Sequence, residues 1–286
     1  MRVGVAGGSG FIGSHIVHEL CRLGHMCTIY DIKSPDSILT KYARQIDFVE
    51  LDIMDKESVL KNIKDEIVFH LAGPVMGGFK SDPDGCIRTT IDGTLNVIQA
   101  CKKNNVQKLL FPTTIYVYEG QPICAVSEKT QPLPYSIGLF GMSKLACENF
   151  IVKSGIPFSI LRFGSTYGHG KSSNAVNAFY EEAKSKKDLV VWGDGVRPNQ
   201  FTHVGDIAKY SAVAISAPPG FYNLVSPEVT TTAELAKKIA GIFGVNVIFD
   251  KSKQEGMFFP YVRSDNAVRE LRWNPISLEE GLKSLG

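Results

Sequence analysis

Seven residues near the start of the chain, Gly7-Gly8-Ser9-Gly10-Phe11-Ile12-Gly13, limit what it can fold into more than any other segment. They follow a strand-like run, Val3-Gly4-Val5-Ala6, and open a helix-length periodic segment. Glycines at 7, 10 and 13 in that setting form the strand–turn–helix bend of a dinucleotide-binding domain. Without side chains they let a pyrophosphate approach the backbone, and the helix start offers unpaired N–H groups and a positive dipole end to that anion. Asp31, 18 residues after Gly13 at the end of the second expected strand, can accept hydrogen bonds from both ribose hydroxyls and would repel a 2′-phosphate. The pattern points to NAD rather than NADP, a preference that Lys33 would soften. The bland alternative is a tight turn with a solvated aspartate beyond it.

Through the first ~165 residues, short β-branched runs alternate with periodic segments of helical length, as in βαβ units around a parallel sheet. Strands are expected near 2–6, 26–30, 46–50, 66–70, 107–112 and 157–162, and helices near 11–23, 55–63, 84–104 and 138–153. The last two helices are long enough to cover a sheet face and to pair with a second subunit. After Tyr167-Gly168-His169-Gly170 the rhythm shortens, with helices expected at 174–186, 205–217, 231–243, 265–272 and 277–284. The expected fold is α/β: a Rossmann doubly wound parallel sheet over 1–165 and a smaller, interleaved α/β substrate domain over 166–286, with 200–206 returning to the first sheet. At 286 residues, 44% of them hydrophobic, the chain can bury one large core or two smaller ones. Its net charge of +2 is scattered and leaves no footprint for a nucleic acid. No apolar run approaches the ~20 residues of a membrane span, and Met1 leads straight into the first strand without a secretory signal, so a cytoplasmic protein is expected. Six cysteines without Cys-x-x-Cys spacing and six histidines, with only His15 and His18 close together on one helix, give neither a disulfide framework nor a metal signature.

Further segments extend the pattern: Asp52-Ile53 before a helix, Val68-Phe69-His70-Leu71-Ala72-Gly73, Asp92-Gly93-Thr94-Leu95-Asn96-Val97, Thr113-Thr114 followed by Val117-Tyr118, and Ser143-Lys144-Leu145 with Glu148. Beyond them come Leu161-Arg162, Tyr167-Gly168, Trp192-Gly193-Asp194-Gly195, Phe201-Thr202-His203-Val204 with Asp206, and Trp273-Asn274-Pro275. On these residues the chain resembles, along nearly its whole length, the extended short-chain dehydrogenase/reductase family, the NAD-dependent nucleotide-sugar epimerases and dehydratases. The resemblance implies that Gly7, Gly10, Phe11, Ile12 and Asp31 hold NAD and that Asp52 and Ile53 flank its adenine. It implies too that Leu71, Ala72 and Gly73 line its pyrophosphate and ribose and that Lys144 reaches the nicotinamide ribose. A nucleotide-diphosphate sugar as substrate and a homodimer as assembly follow from the same resemblance.

Members of the family oxidise a sugar hydroxyl, usually at C4, passing hydride to the nicotinamide while a base removes the hydroxyl proton. A phenol suits that role when a nearby ammonium lowers its pKa, so the family's pair is Tyr-x-x-x-Lys, one helical turn apart on one face. Here the segment reads Phe140-Gly141-Met142-Ser143-Lys144, and Phe140 has no ionisable group. Three readings follow. Activity has been lost and the chain only holds NAD or a nucleotide. Or Tyr116 carries the proton, standing two residues past Thr114 where the dehydratases carry a catalytic glutamate. Or Thr114, aligned with the family's catalytic Ser/Thr, relays the proton itself or through a water. Read blandly, Tyr116 is an aromatic lid or core residue.

Other departures narrow the reaction. Ile115 and Tyr116 replace the Asp-Glu pair with which the dehydratases eliminate water, which disfavours a 4,6-dehydratase. Thr90 and Ser165 replace two family asparagines near cofactor and sugar, so the sugar's identity does not carry over. Trp192 stands where the family often stacks an aromatic on the nucleobase. Asn199 takes the place of the diphosphate arginine, leaving Arg197 or Arg263 to grip that group. A core role for Trp192 and a solvated one for each arginine are the alternatives. The catalytic candidates are thus Thr114, Tyr116 and Lys144, and the substrate candidates Thr114, Ser165, Trp192, Arg197 and Arg263. The expected function is an NAD-dependent epimerase or dehydrogenase that makes a keto sugar. A non-catalytic NAD-binding regulator or assembly partner and an NAD-dependent reductase of a non-sugar ketone are its rivals.

Overall fold

Strands covered on both faces read as apolar runs, and such runs build the centre of this molecule. The computed structural model describes residues 1–35, 37–170 and 174–286. Its first part runs β1 (Arg2–Ala6), α1 (Phe11–Arg22), β2 (Met26–Asp31), β3 (Ile46–Glu50), α2 (Lys56–Asn62), β4 (Ile67–His70), α3 (Gly78–Ser81), α4 (Pro83–Lys103), β5 (Lys108–Thr114), β6 (Ala125–Val126), α5 (Leu139–Val152), β7 (Phe158–Phe163) and β8 (Ser165–Tyr167). The remainder runs α6 (Ala175–Lys184), β9 (Leu189–Trp192), β10 (Pro198–Asn199), β11 (Phe201–His203), α7 (Val204–Val213), β12 (Gly220–Leu224), β13 (Thr230–Thr231), α8 (Thr232–Phe243), β14 (Val247–Asp250), β15 (Tyr261–Val262) and α9 (Leu278–Lys283). The helix expected over 265–272 is a single π turn, Ala267–Leu271, ended by Arg272 at φ 59°.

Among the described residues the main sheet has seven strands in the order β12-β7-β5-β4-β1-β2-β3, all paired in parallel. From β1 the chain winds outward through β2 and β3. It then returns to β4 on the other side of β1 and winds outward through β5, β7 and β12. The direction of winding reverses between β1 and β4, so the loops leaving their carboxyl ends diverge and open a crevice, where such sheets bind ligands.

Side-chain alternation divides the core between the two sheet faces. Val3, Val5 and Leu110 pack with Ile16 and Leu20 of α1 and Ile207 of α7 on one face. Leu109 and Phe111 pack with Val97 of α4 and Cys147 and Ile151 of α5 on the other. A separate cluster, including Phe179, Leu189, Val191, Leu235 and Ile239, holds the second lobe.

The strand expected to return over 200–206 does not join the main sheet. Phe201–His203 pairs instead with β8, Phe201 opposite Ser165 and His203 opposite Tyr167, because the chain leaves the sheet at Gly164 and β8 needs a partner of its own. The returning strand is β12, with Tyr222 opposite Leu161. The residues after 166 are therefore shared between the lobes: α7, β12 and Trp273 complete the first core. Lys108 fastens the crossing. Its ammonium donates to the carbonyls of Ala214, Ile215 and Ala217 just past α7, at 2.8, 3.2 and 2.6 Å, where a helix end favours a cation. Burial lowers its pKa to about 8. Five of the six cysteines are buried thiols and Cys124 is exposed. No helix among the described residues is long and apolar enough to cross a membrane.

Candidate active site

Backbone geometry at the end of β1 explains two of the three fingerprint glycines by packing and the third by the space it leaves. Gly7 has φ +83°, and a Cβ there would lie 2.6 Å from the Ala72 nitrogen. A Cβ on Gly13 would lie 2.1 Å from the Gly7 carbonyl oxygen. Gly10 meets only that oxygen, at 3.4 Å, and otherwise faces open space at the start of α1. No side chain caps this helix, so its first amides point into the crevice, as an anion site requires. Asp31 ends β2 beside them. One carboxylate oxygen accepts from the Ser9 amide at 3.0 Å and the other from the Lys33 amide at 3.1 Å, which fixes the group at the cleft wall.

The cleft has a volume of about 1750 Å³ and runs from Asp31, Asp52 and Ile53 past the glycine bend to Thr114, Phe140 and Lys144. Ile53 is held by the Asn96 side-chain amide, which donates to its carbonyl at 2.9 Å, and it lies on Gly93, where a Cβ would come within 2.4 Å of it. Leu71 and Ala72 both donate to the Ala6 carbonyl, at 2.8 and 2.9 Å, turning the chain after β4 across the cleft. Gly73, at φ +144°, follows them, and a Cβ there would stand 3.9 Å from the Lys144 ammonium nitrogen. These features fit NAD: room over Gly10, a carboxylate for a ribose, and the Lys144 nitrogen at the far end.

Lys144 is held by its neighbours on α5. The Cys147 thiol donates to the Thr90 carbonyl at 3.3 Å, and the Glu148 carboxylate forms a two-point buried pair with Arg162 of β7, at 2.6 and 3.1 Å. A buried fork of this kind serves positioning more than stability, since desolvation offsets much of its attraction. The Lys144 nitrogen lies 5.3 Å from the Phe111 ring centre, and its removal from water lowers its pKa. Thr114 ends β5 with its hydroxyl oxygen accepting from the Tyr116 amide at 3.2 Å. Phe140 lines the cleft edge-on between Phe79 (5.5 Å) and Tyr116 (5.7 Å), and Tyr116 packs against Phe259 at 4.8 Å. Tyr116 is half-buried and does not line the cleft; burial raises its phenol, against the pull of nearby Arg197.

The residues expected at the nucleotide end are gathered less fully. Ser165 lies between Gly164 and Thr166, which line the cleft, without lining it itself. Trp192 and Arg197 stand outside the cleft, beneath the segment from Lys251 to Phe259. Trp192 is 53% exposed, with the Lys253 ammonium 5.1 Å over its ring, and so has no core role. The Glu255 carboxylate accepts from the amides of Val196 and Arg197 at 3.1 and 2.7 Å. The Arg197 Nε is buried without a partner. Arg263 does not join them: it is exposed and pairs with Asp265 at 3.0 Å.

Glu255, Lys253 and Phe259 are absent from the sequence-derived site, as are Asn177 and Glu181, which line the cleft's far wall from α6. Asn177 had one signal, the glycines of Gly168-His169-Gly170. Its side chain donates to the Gly168 carbonyl at 2.7 Å, and both glycines have positive φ.

The model of the NAD dependent epimerase/dehydratase family matches residues 3–224. The chain belongs to this family. NAD is accordingly its cofactor. Within this epimerase/dehydratase family the chain is 28% identical to the UDP-N-acetyl-alpha-D-glucosaminuronate decarboxylase of Bacillus cytotoxicus, covering 98% of this chain and 94% of that one. In structure it resembles the UDP-glucose 4-epimerase of Thermotoga maritima solved with UDP-glucose (TM-score 0.89, 26% identity, 100% of this chain and 97% of that one). It is similar also to the Thermus thermophilus UDP-glucose 4-epimerase in complex with NAD (TM-score 0.85, 25% identity, the same coverage).

Proposed function

We propose that this chain oxidises a hydroxyl of a nucleotide-diphosphate sugar, at C4, to a ketone, as an epimerase or a dehydrogenase. What carries the reading is the presence, along one cleft, of the open amide end of α1, the fixed Asp31 carboxylate, the Lys144 side-chain nitrogen and Thr114. Relatives that act on or bind UDP sugars over nearly the whole chain support the substrate class. The bound cofactor supplies the hydride acceptor. Around it, Gly7, Gly10, Phe11 and Ile12 cradle the pyrophosphate and Asp31 binds the adenine ribose. Asp52 and Ile53 flank the adenine, Leu71 to Gly73 close over the chain of the cofactor, and Lys144 holds the second ribose. Thr114 orients the reacting oxygen, Ser165 borders the sugar, and Trp192 and Arg197 serve base and diphosphate. Arg263, exposed and paired with Asp265, remains the alternative to Arg197 for the diphosphate. We further propose a homodimer formed across α4 and α5, where Leu139 and Phe150 are exposed.

The test is to purify the protein, identify any co-purifying nucleotide, and follow reduced-nicotinamide absorbance and product identity over a panel of UDP and other nucleotide sugars. A converted sugar supports the reading. Bound NAD with no conversion favours the second reading, an NAD-holding partner without turnover, for which Phe140 speaks. NAD reduction or oxidation with simple ketones but no nucleotide-sugar binding would favour a reductase.

A further inference from the structure

With Phe140 in the place of a phenol, the proton of the sugar hydroxyl must go to another group at the nicotinamide end. Tyr116 is poorly disposed for it: its ring is fixed edge-on between Phe140 and Phe259, outside the cleft wall, and burial raises its pKa. Thr114 lines the cleft and its hydroxyl could relay a proton, but an aliphatic hydroxyl does not keep one. Lys144 remains. Its nitrogen stands at the cleft wall beside Gly73 and the Phe111 ring, and among the described residues it has no hydrogen bond and no carboxylate partner.

The groups around Lys144 leave its charge unsupported. From β4, His70 faces it as a neutral ring. The Thr94 hydroxyl gives its hydrogen to the Thr90 carbonyl at 2.6 Å, so at 3.0 Å it accepts from His70 Nε2–H, and Nδ1 is left as a buried lone pair without a partner. Burial and the nearby lysine hold the His70 pKa at about 3. On α5 itself, Cys147 is a thiol pushed up by burial, and Glu148 gives both oxygens to Arg162. From the start of α4, Asp82 caps the helix at the Gly85 amide, 2.9 Å away, and Cys86 lines the cleft. In the usual pair an ammonium earns its place by stabilising a phenolate; here no such anion can form one turn earlier.

The geometry points to Lys144 as the proton acceptor of the reaction, a role that deepens the oxidoreductase reading above and rests on it. The neutral amine takes the hydroxyl proton, directly or across the Thr114 hydroxyl, as the carbon gives its hydride to NAD. The carbinol becomes a ketone and the amine an ammonium. Return of the hydride to either face, with the proton going back from the ammonium, restores both.

The test compares the wild type with Lys144→Arg, Phe140→Tyr, the double variant and Tyr116→Phe, each at saturating NAD with a converted nucleotide sugar. Arginine keeps a cation for the cofactor but does not deprotonate in the working range. Lys144→Arg is expected to keep NAD binding within about tenfold and to lose roughly 100-fold or more in kcat, the worth of a general base. Phe140→Tyr is expected to rescue most of that loss in the double variant. The wild-type kcat rises with pH as the amine deprotonates, and this limb persists in Tyr116→Phe and moves in Phe140→Tyr. Full turnover by Lys144→Arg, a flat wild-type pH profile, or loss of the limb in Tyr116→Phe overturns the assignment. So does an inactive wild type alongside an active Phe140→Tyr. If both bind NAD and neither converts any nucleotide sugar, it is the underlying oxidoreductase reading that fails.

Discussion

The two ends of this molecule's ligand path are built differently. At the cofactor end the backbone leaves space: Gly10 faces a void, the first amides of α1 have no cap, and Asp31 is fixed by two amides before any ribose arrives. At the nucleotide end the chain covers its own candidate groups. Lys253 lies on Trp192, Glu255 sits on the amides of Val196 and Arg197, and Phe259 packs on Tyr116. A preformed site binds without reorganisation, whereas a covered one must first give up contacts of its own. NAD should therefore bind as to a rigid mould, and the proposed sugar nucleotide by displacing a strap, residues 251–259, from Trp192 and Arg197.

The strongest way to break this contrast is to fill the mould. Gly13→Ala puts a methyl 2.1 Å from a backbone oxygen that cannot swing aside. It should lower NAD affinity by at least 100-fold, measured by calorimetry, and lower stability by about 1–3 kcal/mol; unchanged binding would mean the bend is not the pyrophosphate seat. Acid tests two rings held neutral, His70 of β4 and His203 of β11. Burial holds His70 near 3 and His203 near 4, below the ~6.5 of an unfolded histidine. The unfolded chain thus binds more protons, and stability present above pH ~6.5 should drain away on acidification, through both groups down to about 4 and His70 alone to about 3. For the fully buried His70 the loss is on the order of a few kcal/mol. A Tm that stays flat from pH 7 to 4.5 would refute it. Asp31→Ala should weaken NAD by about 10–100-fold, the worth of hydrogen bonds to a charged group, and relax discrimination against NADP; an unchanged NAD/NADP ratio removes Asp31 from its role. The smallest effect sharpens the other end: Glu255→Gln should loosen the strap and change affinity for the proposed nucleotide sugar about threefold, the worth of about one weak hydrogen bond, while leaving NAD affinity alone. Equal shifts in both would show that the ends are coupled.

The same contrast explains what the sequence reveals. The glycine bend and Asp31 are legible because their geometry is local, and β1, β2, β4, β5 and β7 because burial gives them apolar runs of standard spacing, with β3 read beside them as a short β-branched run. The strap is illegible because Glu255 meets Val196 across 59 positions of sequence, and nothing local marks a surface carboxylate as a partner for distant amides. Arg263 is legible only as a candidate: in the structure it is exposed and pairs with Asp265 two residues away, a weak contact that a diphosphate could replace. The strand Phe201–His203 reads correctly as a strand but pairs with β8, because register partners depend on where the chain leaves the sheet at Gly164. β12 is concealed by its composition: Asn223 interrupts it, and its polarity is accounted for only in three dimensions, by bonds to the Tyr118 hydroxyl and the Arg263 carbonyl.

The late arrival of β12 also orders events on the ribosome. The glycine bend and β4 are synthesised within the first 73 residues, but the strand that covers the outer side of β7 comes only at Gly220–Leu224. A nascent chain thus holds the glycine bend and β4 while β7, with Ile160 and Leu161, is still a bare edge of the kind that recruits foreign strands. Translation pauses between β7 and β12 are where this protein would aggregate, and a fragment ending at 165 would carry that exposed edge permanently.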